Sequence, residues 1–291
     1  MNPPLISIVI VTFNAGSTLQ SAIDSVLSQT YKHTELVIID GDSKDNTLEI
    51  IKKNSARLGY FISEKDKGVY DAMNKAIDAA KGDWILFLGA DDTLYNDKVL
   101  SDIFAGRDIE EVDLLYGDVE FTTNKKRYGA EKDYLRLVER NICHQAMFHH
   151  RRIFEKLGKF SMRYPVLADF EMNIRIFHDE TIGKKYIPII ITFFNNTGMS
   201  SSVLDRFFHA DMLKKFLEED KMPFLAPQLQ QYHFYHGLIS LFSGKPGIAL
   251  RQIPASWISG KRKLFYFLFG IKFLLRTLIR DKIIIKPGEP K

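Results

Sequence analysis

The sequence predicts an α/β protein with a mostly parallel sheet flanked by helices. Apolar, β-branched runs alternate with helical segments over the N-terminal third, which is typical of consecutive βαβ units. The chain of 291 residues is 45% hydrophobic and 26% charged, as ordinary globular proteins are. Polar and acidic residues stand where the predicted strands end, and ligands of such sheets bind at the carboxyl ends of the strands. We therefore expect a functional site at that edge of the sheet.

The N-terminal part of the chain alternates regularly between the two kinds of element. The run from Leu5 to Thr12 suits a strand that is buried on both faces. The predicted strands are 5–12, 35–40, 60–63 and 84–88, and the predicted helices are 17–29, 46–56 and 69–80.

Beyond residue 92 the pattern is looser. The remaining predicted elements are strands at 113–121, 146–150 and 186–194, a hairpin-like turn at 122–127 and a helix at 169–179. From about residue 205 the sequence is helical in character and punctuated by prolines. We therefore expect two parts, an α/β domain over 1–203 and a helical C-terminal extension over 204–291.

The charge of the chain is unevenly distributed. The net charge of +4 is too small to indicate a nucleic-acid partner, but residues 261–291 contain nine basic and two acidic residues. Lys272, Arg276 and Arg280 recur every four residues after the apolar run 264–271. Such a segment suits an anionic membrane surface, and the alternative is a helix that packs its apolar face onto the α/β domain.

Cysteine usage and hydropathy indicate a cytoplasmic protein. A single cysteine, Cys143, excludes an internal disulfide and fits a reducing compartment. The N-terminus has no basic region ahead of its short apolar run, which favours a first strand over a signal peptide. No apolar run approaches the roughly 18 residues of a membrane span. We expect a cytoplasmic protein, with peripheral binding to the inner face of the cell membrane as the further expectation from the basic tail.

Two adjacent carboxylates, Asp91 and Asp92, end the apolar run that starts at Trp84. Neighbouring like charges raise each other's pKa, and a hard divalent cation with oxygen ligands relieves that cost. A helix cap is the structural alternative for this pair.

Four blocks of the sequence together resemble the family 2 glycosyltransferases with the GT-A fold. The blocks, which occur in the order typical of that family, are Ser7–Asn14, Glu35–Ser43, Glu64–Lys75 and Asp91–Asp92. Within the family, the chain is similar to the small, non-processive enzymes of bacterial surface-polysaccharide assembly. The resemblance implies a nucleotide-sugar donor and a glycan or lipid-linked acceptor.

The resemblance also implies roles for residues on the donor side. Asp40 would bind the base, for which the ring N–H of uracil is the natural match, and Asp66 would hold the nucleoside from the other side. Thr12, Phe13 and Asn14 would line the neighbouring loop. A UDP-sugar is therefore favoured, with a GDP-sugar as the alternative.

The carboxylate pair completes the implied donor site. Asp91 would contact the ribose, and Asp92 would bind a Mn²⁺ or Mg²⁺ ion that bridges the two phosphates. A metal in that position neutralises charge on the departing diphosphate.

The segment 165–175 is similar to the family's late acidic motif, and it implies that Asp169 is the general base. The family often has Glu directly before this Asp, whereas this chain has Ala168. The choice between Asp169 and Glu171 therefore stays open, although residues two apart on a helix face different sides. A single base with a metal-held leaving group implies one displacement, with inversion at the anomeric carbon.

The pair His144–Gln145 resembles a His-Gln pair common in these small transferases, and either residue is a weaker candidate for a sugar or acceptor contact.

Two other classes share the fold, a sugar nucleotidyltransferase and an inactive sugar- or lipid-binding scaffold. A dinucleotide-dependent oxidoreductase is disfavoured because the first turn lacks the Gly-x-Gly-x-x-Gly pattern.

Overall fold

The structure is a computed structural model that describes residues 3–106, 109–195, 205, 207–208 and 211–212. The chain divides into two compact units, 1–204 and 205–291. Apart from residues 205, 207–208 and 211–212, the predicted helical extension and its basic tail lie outside the described residues. Within the described ranges, no helix has the length and apolar character needed to cross a membrane.

Strands and helices alternate through the N-terminal unit. The strands are β1 Ile6–Thr12, β2 Thr34–Asp40, β3 Tyr60–Ser63, β4 Trp84–Gly89, β5 Thr93–Leu94, β6 Leu114–Phe121, β7 Arg127–Tyr128, β8 Met147–His150 and β9 Lys184–Phe194. The helices are α1 Leu19–Leu27, α2 Thr47–Asn54, α3 Val69–Ala79, α4 Val99–Phe104, α5 Tyr134–Glu139, α6 Arg151–Leu157 and α7 Ala168–His178, with 3-10 turns at Ser55–Arg57 and His144–Ala146.

All the described strands belong to one sheet with the order β3-β2-β1-β4-β8-β6-β9-β5, and β7 lies beside β6. The first four strands are parallel to one another, whereas β8 runs antiparallel to both β4 and β6. The predicted α/β architecture is confirmed, with the parallel part at the N-terminus and the later strands making the sheet mixed. The carboxyl ends of β1, β2, β3 and β4 meet at one edge.

Apolar periodicity explains how the elements pack. Strands β1 and β4 are buried on both faces, as their continuous apolar runs predict. Helix α1 buries Leu19, Ala22, Ile23 and Val26, a three-and-four spacing that places one apolar stripe on the sheet. Burial of Leu19, Ile23 and Val26 contributes about 1.5–3 kcal/mol each.

One side chain fastens α3 to the loop that leads into α7. Asn74 donates from Nδ2 to the Phe160 carbonyl oxygen at 2.9 Å, and its Oδ1 accepts from the Phe160 N–H at 3.0 Å. These two hydrogen bonds join α3 to the segment that precedes α7, although the two are far apart in the sequence. No local sequence pattern indicates this contact.

Candidate active site

The end of β2 places a buried carboxylate between two neighbouring strands. Asp40 lies in register with Thr12 of β1 and with Ser63 of β3. Its Oδ2 atom accepts from the Ser63 hydroxyl at 2.6 Å and from the Ser43 N–H at 3.1 Å, and its Oδ1 atom accepts from the Ser43 hydroxyl. A carboxylate has about four acceptor positions, two on each oxygen. The contacts of the described residues use three of them, and the fourth, on Oδ1, is available to a ligand.

Beside Asp40, the Thr12 hydroxyl is buried and has no hydrogen-bond partner among the described residues. An unsatisfied buried hydroxyl costs about 1–3 kcal/mol. A polar ligand at these strand ends would remove that cost, which agrees with the predicted placement of Thr12 beside a donor nucleotide.

Phe13 and Asp66 converge on Gly41. A Cβ atom added at Gly41 would lie 2.6 Å from Asp66 Oδ2 and 3.4 Å from the Phe13 ring. The Phe13 side chain is 63% exposed, which is unusual for so large an apolar group. Burial raises the pKa of Asp66, and the charges of Asp71 and Asp40 add to this effect. The Phe13 ring offers a stacking surface and Asp66 offers acceptor oxygens, and both lie beside Gly41. This arrangement suits a flat ligand that has hydrogen-bond donors.

Asn14 holds the loop after β2 in place. Its backbone has a positive φ of 50°, a conformation that Asn tolerates better than most residues. The Asn14 N–H donates to the Ser43 hydroxyl at 2.7 Å, and its Oδ1 accepts from the Lys44 N–H at 2.8 Å. Asn14 therefore supports the loop that carries Gly41.

The carboxylates that follow β4 have different environments. Asp92 is 1% exposed, whereas Asp91 is exposed to solvent. A Cβ atom at Gly89 would lie 2.5 Å from Asp92 Oδ2 and 3.0 Å from Asp91 Oδ1. Both carboxylates therefore lie close to the backbone of Gly89. Burial raises the pKa of Asp92 to about 6, and the charge of Asp91 adds to the rise.

Two residues from distant parts of the chain hold these carboxylates. The Asn195 N–H donates to Asp92 Oδ1 at 2.7 Å, and its Nδ2 donates to Asp91 Oδ2 at 2.9 Å. Gln145 donates from Nε2 to Asp92 Oδ2 at 3.0 Å. Sequence reasoning missed Asn195, although its place directly after the apolar strand β9 is the same signal that singled out the other site residues.

The environment of Asp92 fits a divalent cation. Each Asp92 oxygen accepts one hydrogen bond and keeps an acceptor position for a metal. In the part of the chain that the structure describes, no group of three or more His, Cys, Asp or Glu side chains is arranged to hold a metal ion. Mg²⁺ commonly uses one or two carboxylates together with substrate phosphates, and Asp91 and Asp92 match that donor set.

Asp169 lies in the first turn of α7 and is mostly buried. Its Oδ2 atom lies 3.2 Å from His144 Nδ1, and its Oδ1 atom accepts from the Tyr70 hydroxyl at 2.8 Å. Burial together with the charges of Asp169 and Asp92 raises the pKa of Cys143 to about 12. Because Gln145 donates to Asp92 and His144 contacts Asp169, the segment 143–145 lies beside both carboxylates.

Glu171 is engaged elsewhere. Its Oε1 atom lies 2.8 Å from Arg175 Nε, and its Oε2 atom accepts from Arg175 Nη2 at 2.9 Å. Arg175 also donates to the Leu157 carbonyl oxygen at 2.5 Å. Of the two acidic residues at the start of α7, Asp169 is the one that the structure brings to His144.

A mixed α/β sheet of this order, with acidic side chains gathered at the carboxyl ends of its parallel strands, has the architecture of the GT-A fold. The model of the family described as glycosyl transferase family 2 matches residues 7–208. The chain belongs to this family, and the protein is a glycosyltransferase.

Two relatives and two solved structures illustrate the similarity. A PGL/p-HBAD biosynthesis glycosyltransferase of Mycobacterium bovis is 40% identical over 215 residues, which are 72% of this chain and 84% of the relative. An Escherichia coli enzyme, UDP-Glc:alpha-D-GlcNAc-diphosphoundecaprenol beta-1,3-glucosyltransferase WfgD, is 33% identical over 130 residues, 44% of this chain and 51% of the relative.

The structural similarity is to S. aureus TarS in complex with UDP-GlcNAc, with a TM-score of 0.56, 17% identity and coverage of 69% of this chain and 61% of TarS. It extends to the mannosyltransferase PcManGT from Pyrobaculum calidifontis in complex with GDP-Man and Mn²⁺, with a TM-score of 0.53, 13% identity and coverage of 97% and 83%. At these identities the two structures show the shared fold.

Proposed function

We propose that the protein is a metal-dependent, inverting glycosyltransferase that moves one sugar from a UDP-sugar to a hydroxyl of a lipid-linked or glycan acceptor in surface-glycan assembly. The observation that carries the proposal is the position of the Cys143–Gln145 segment beside two separate carboxylates. Gln145 binds Asp92 and His144 binds Asp169. This arrangement supports a donor side and an acceptor side within one site.

On the donor side, the exposed Phe13 ring would stack on the base, and Asp40 would accept a base N–H at its remaining Oδ1 position. Asp66 would bind from across Gly41. Asp91, which is exposed and fixed by Asn195, would accept hydrogen bonds from the ribose. Asp92 would bind Mn²⁺ or Mg²⁺, which when present neutralises the charge of the diphosphate leaving group.

On the acceptor side, Asp169 would take the proton of the acceptor hydroxyl. As that O–H bond breaks, the acceptor oxygen forms a bond to the anomeric carbon, and the bond from this carbon to the diphosphate oxygen breaks. A single displacement from the face opposite the leaving group inverts the anomeric configuration. Positioning of the two reactants in one site supplies much of the rate enhancement of such a transfer.

The substrate classes follow from the relatives. The name of one relative specifies UDP-Glc and a diphosphoundecaprenol acceptor, and one structural neighbour holds UDP-GlcNAc. Because a neighbour of the same fold holds GDP-Man with Mn²⁺, a GDP-sugar is the alternative donor. The proposed reaction is therefore tested with a panel of UDP- and GDP-sugars and a polyprenyl-diphosphate sugar acceptor.

The test compares three variants with the wild type by sugar transfer and by the configuration of the product. Asp92→Asn and Asp169→Asn should each lower kcat at least about a hundredfold, because the leaving-group and base contributions are large. Glu171→Gln should keep the chemical step, because Glu171 is paired with Arg175. Full transfer by Asp169→Asn with loss in Glu171→Gln would assign the base to Glu171 instead.

Two results would overturn the proposal as a whole. Release of pyrophosphate from a nucleoside triphosphate and a sugar phosphate would show a nucleotidyltransferase. Tight binding of the acceptor without turnover of any donor would show an inactive scaffold.

The basic tail is a separate part of the proposal. A lipid-linked acceptor would make binding of residues 261–291 to anionic membranes useful. Sedimentation of the full chain and of a chain lacking 261–291 with anionic vesicles tests this, and equal binding of both would contradict it.

A further inference from the structure

A buried tyrosine on α3 contacts the carboxylate that is proposed as the base. The Tyr70 hydroxyl lies 2.8 Å from Asp169 Oδ1 and 2.8 Å from the Val166 carbonyl oxygen. A hydroxyl has one hydrogen to donate, and a hydrogen bond to an ionised group is stronger than one to a neutral carbonyl. While Asp169 is ionised, the hydrogen of Tyr70 therefore points to Asp169.

The remaining contacts of Asp169 give its two carboxylate oxygens different hydrogen-bond partners. Oδ1 also accepts from the Phe170 N–H at 2.8 Å, so with Tyr70 both of its acceptor positions are filled. Oδ2 contacts Nδ1 of His144, and this nitrogen must carry the hydrogen because an ionised carboxylate only accepts. Counting only residues that the structure describes, one acceptor position of the carboxylate is left open, and it is on Oδ2.

We infer that Oδ2 of Asp169 takes the proton of the acceptor hydroxyl, and that Tyr70 is the positioning residue that fixes Oδ1 and thereby aims Oδ2. This inference rests on the proposed function, since it specifies which atom of the proposed base reacts. Tyr70 itself does not touch the reacting atoms. Its hydroxyl acts by restricting rotation of the carboxylate, which keeps the open position of Oδ2 directed at one place.

Helix α3 makes Tyr70 a rigid support. Tyr70 and Asn74 are four residues apart and so lie on the same face of the helix. The Tyr70 ring packs against Phe160, with centroids 5.6 Å apart, and Asn74 binds the backbone of that same residue. Just before α3, the Gly68 N–H donates to Asp66 Oδ1 at 2.8 Å. One helix thus connects the donor-side carboxylate Asp66 with the proposed base.

Tyr70→Phe removes the hydroxyl and keeps the ring, and Tyr31→Phe is its matched control. The Tyr31 hydroxyl also donates a hydrogen bond, to the Pro4 carbonyl oxygen at 2.6 Å, so each variant removes one tyrosine hydroxyl and the hydrogen bond that it donates. We expect Tyr70→Phe to lower kcat about tenfold or more with KM for donor and acceptor within a factor of about two, since misplacement of a reacting group lowers rate more than binding. Tyr31→Phe should leave kcat and KM at their wild-type values.

A double-variant cycle separates this inference from the proposed function. With Asp169→Asn already in place, adding Tyr70→Phe should lower kcat no further, because Tyr70 acts through Asp169. Wild-type kcat in Tyr70→Phe, or an equal loss in Tyr31→Phe, would overturn the role of Tyr70. Wild-type kcat in Asp169→Asn would instead overturn the proposed base, whatever Tyr70→Phe does.

Thermal melting of both tyrosine variants accounts for any loss of folded protein. If Tyr70→Phe loses kcat in proportion to its folded fraction, the hydroxyl has a structural role and the inference fails. If the folded fraction is unchanged and kcat falls, the positioning role is supported.

Discussion

Asp92 should destabilise the metal-free protein at neutral pH, so that removing its charge stabilises the fold. Burial raises its pKa from 3.8 to about 6. A group whose pKa is raised on folding contributes stability that is present below its unfolded pKa and lost as pH rises through its folded pKa. A difference of roughly two units at about 1.4 kcal/mol each corresponds to about 3 kcal/mol.

The variant Asp92→Asn keeps the shape of the side chain and has no charge to bury. Its NH2 group would take the position of Oδ2, where rotation of the Gln145 amide presents Oε1 as an acceptor in place of the Nε2 donor. In the presence of a chelator, it should melt above the wild type at pH 7.5, by roughly 6–12 °C if the full effect of about 3 kcal/mol is realised. Near pH 4 the difference should shrink to below about 1 kcal/mol, because Asp92 is then largely protonated in the folded state. Differential scanning fluorimetry from pH 4 to pH 7.5 measures both limits.

Asp78→Asn is the matched control, since Asp78 is 66% exposed and pairs with Lys159 on the surface. Its melting temperature should differ little from that of the wild type at either pH. Adding Mn²⁺ and UDP should raise the melting temperature of the wild type and leave that of Asp92→Asn nearly unchanged. The reasoning is refuted if Asp92→Asn melts at or below the wild-type temperature at pH 7.5, or if its advantage is the same at both pH values.

Three further predictions concern the support of the site. Asn74→Ala should lower the free energy of unfolding by about 2 kcal/mol, because it removes two hydrogen bonds to the Phe160 backbone; a loss below about 0.5 kcal/mol in urea denaturation would contradict this. Gly41→Ala should weaken UDP binding about tenfold, measured by calorimetry, with little change in melting temperature. The reason is that the added Cβ would lie 2.6 Å from Asp66 Oδ2 and displace this carboxylate. Unchanged affinity for UDP would contradict this prediction. Cys143, with a pKa of about 12, should react with iodoacetamide far more slowly in the native protein at pH 8 than in urea; similar rates by mass spectrometry would oppose the burial argument.

The sequence was sufficient to predict the parallel half of the sheet and to select the edge at which the candidate site was placed. Continuous β-branched runs give an unambiguous strand signal, and polar residues at their ends mark the edge without knowledge of contacts. This is why Asp40, Asp66, Asp91 and Asp92 could be singled out. The short elements α4 and α5, with six residues each, contain too few turns for a helical period to be recognised.

The contacts that distinguish the roles of the site residues could not be predicted in this way. Tyr70 and Asp169 are 99 positions apart, and Asn195 and Asp92 are 103 positions apart. Such pairs depend on how α3, α7 and β9 pack, and no local pattern specifies that packing. Gln145 illustrates the difference, since a contact to sugar or acceptor was predicted and the structure shows its amide bound to Asp92.

The separation of a donor side at Asp92 from an acceptor side at Asp169 is the central claim, and calorimetry of UDP binding tests it most directly. Wild type and Asp169→Asn should bind UDP in the presence of Mn²⁺ with affinities within a factor of about three, whereas Asp92→Asn or a chelator should weaken binding at least about tenfold. Equal losses in Asp169→Asn and Asp92→Asn, or binding that does not respond to the chelator, would contradict the account.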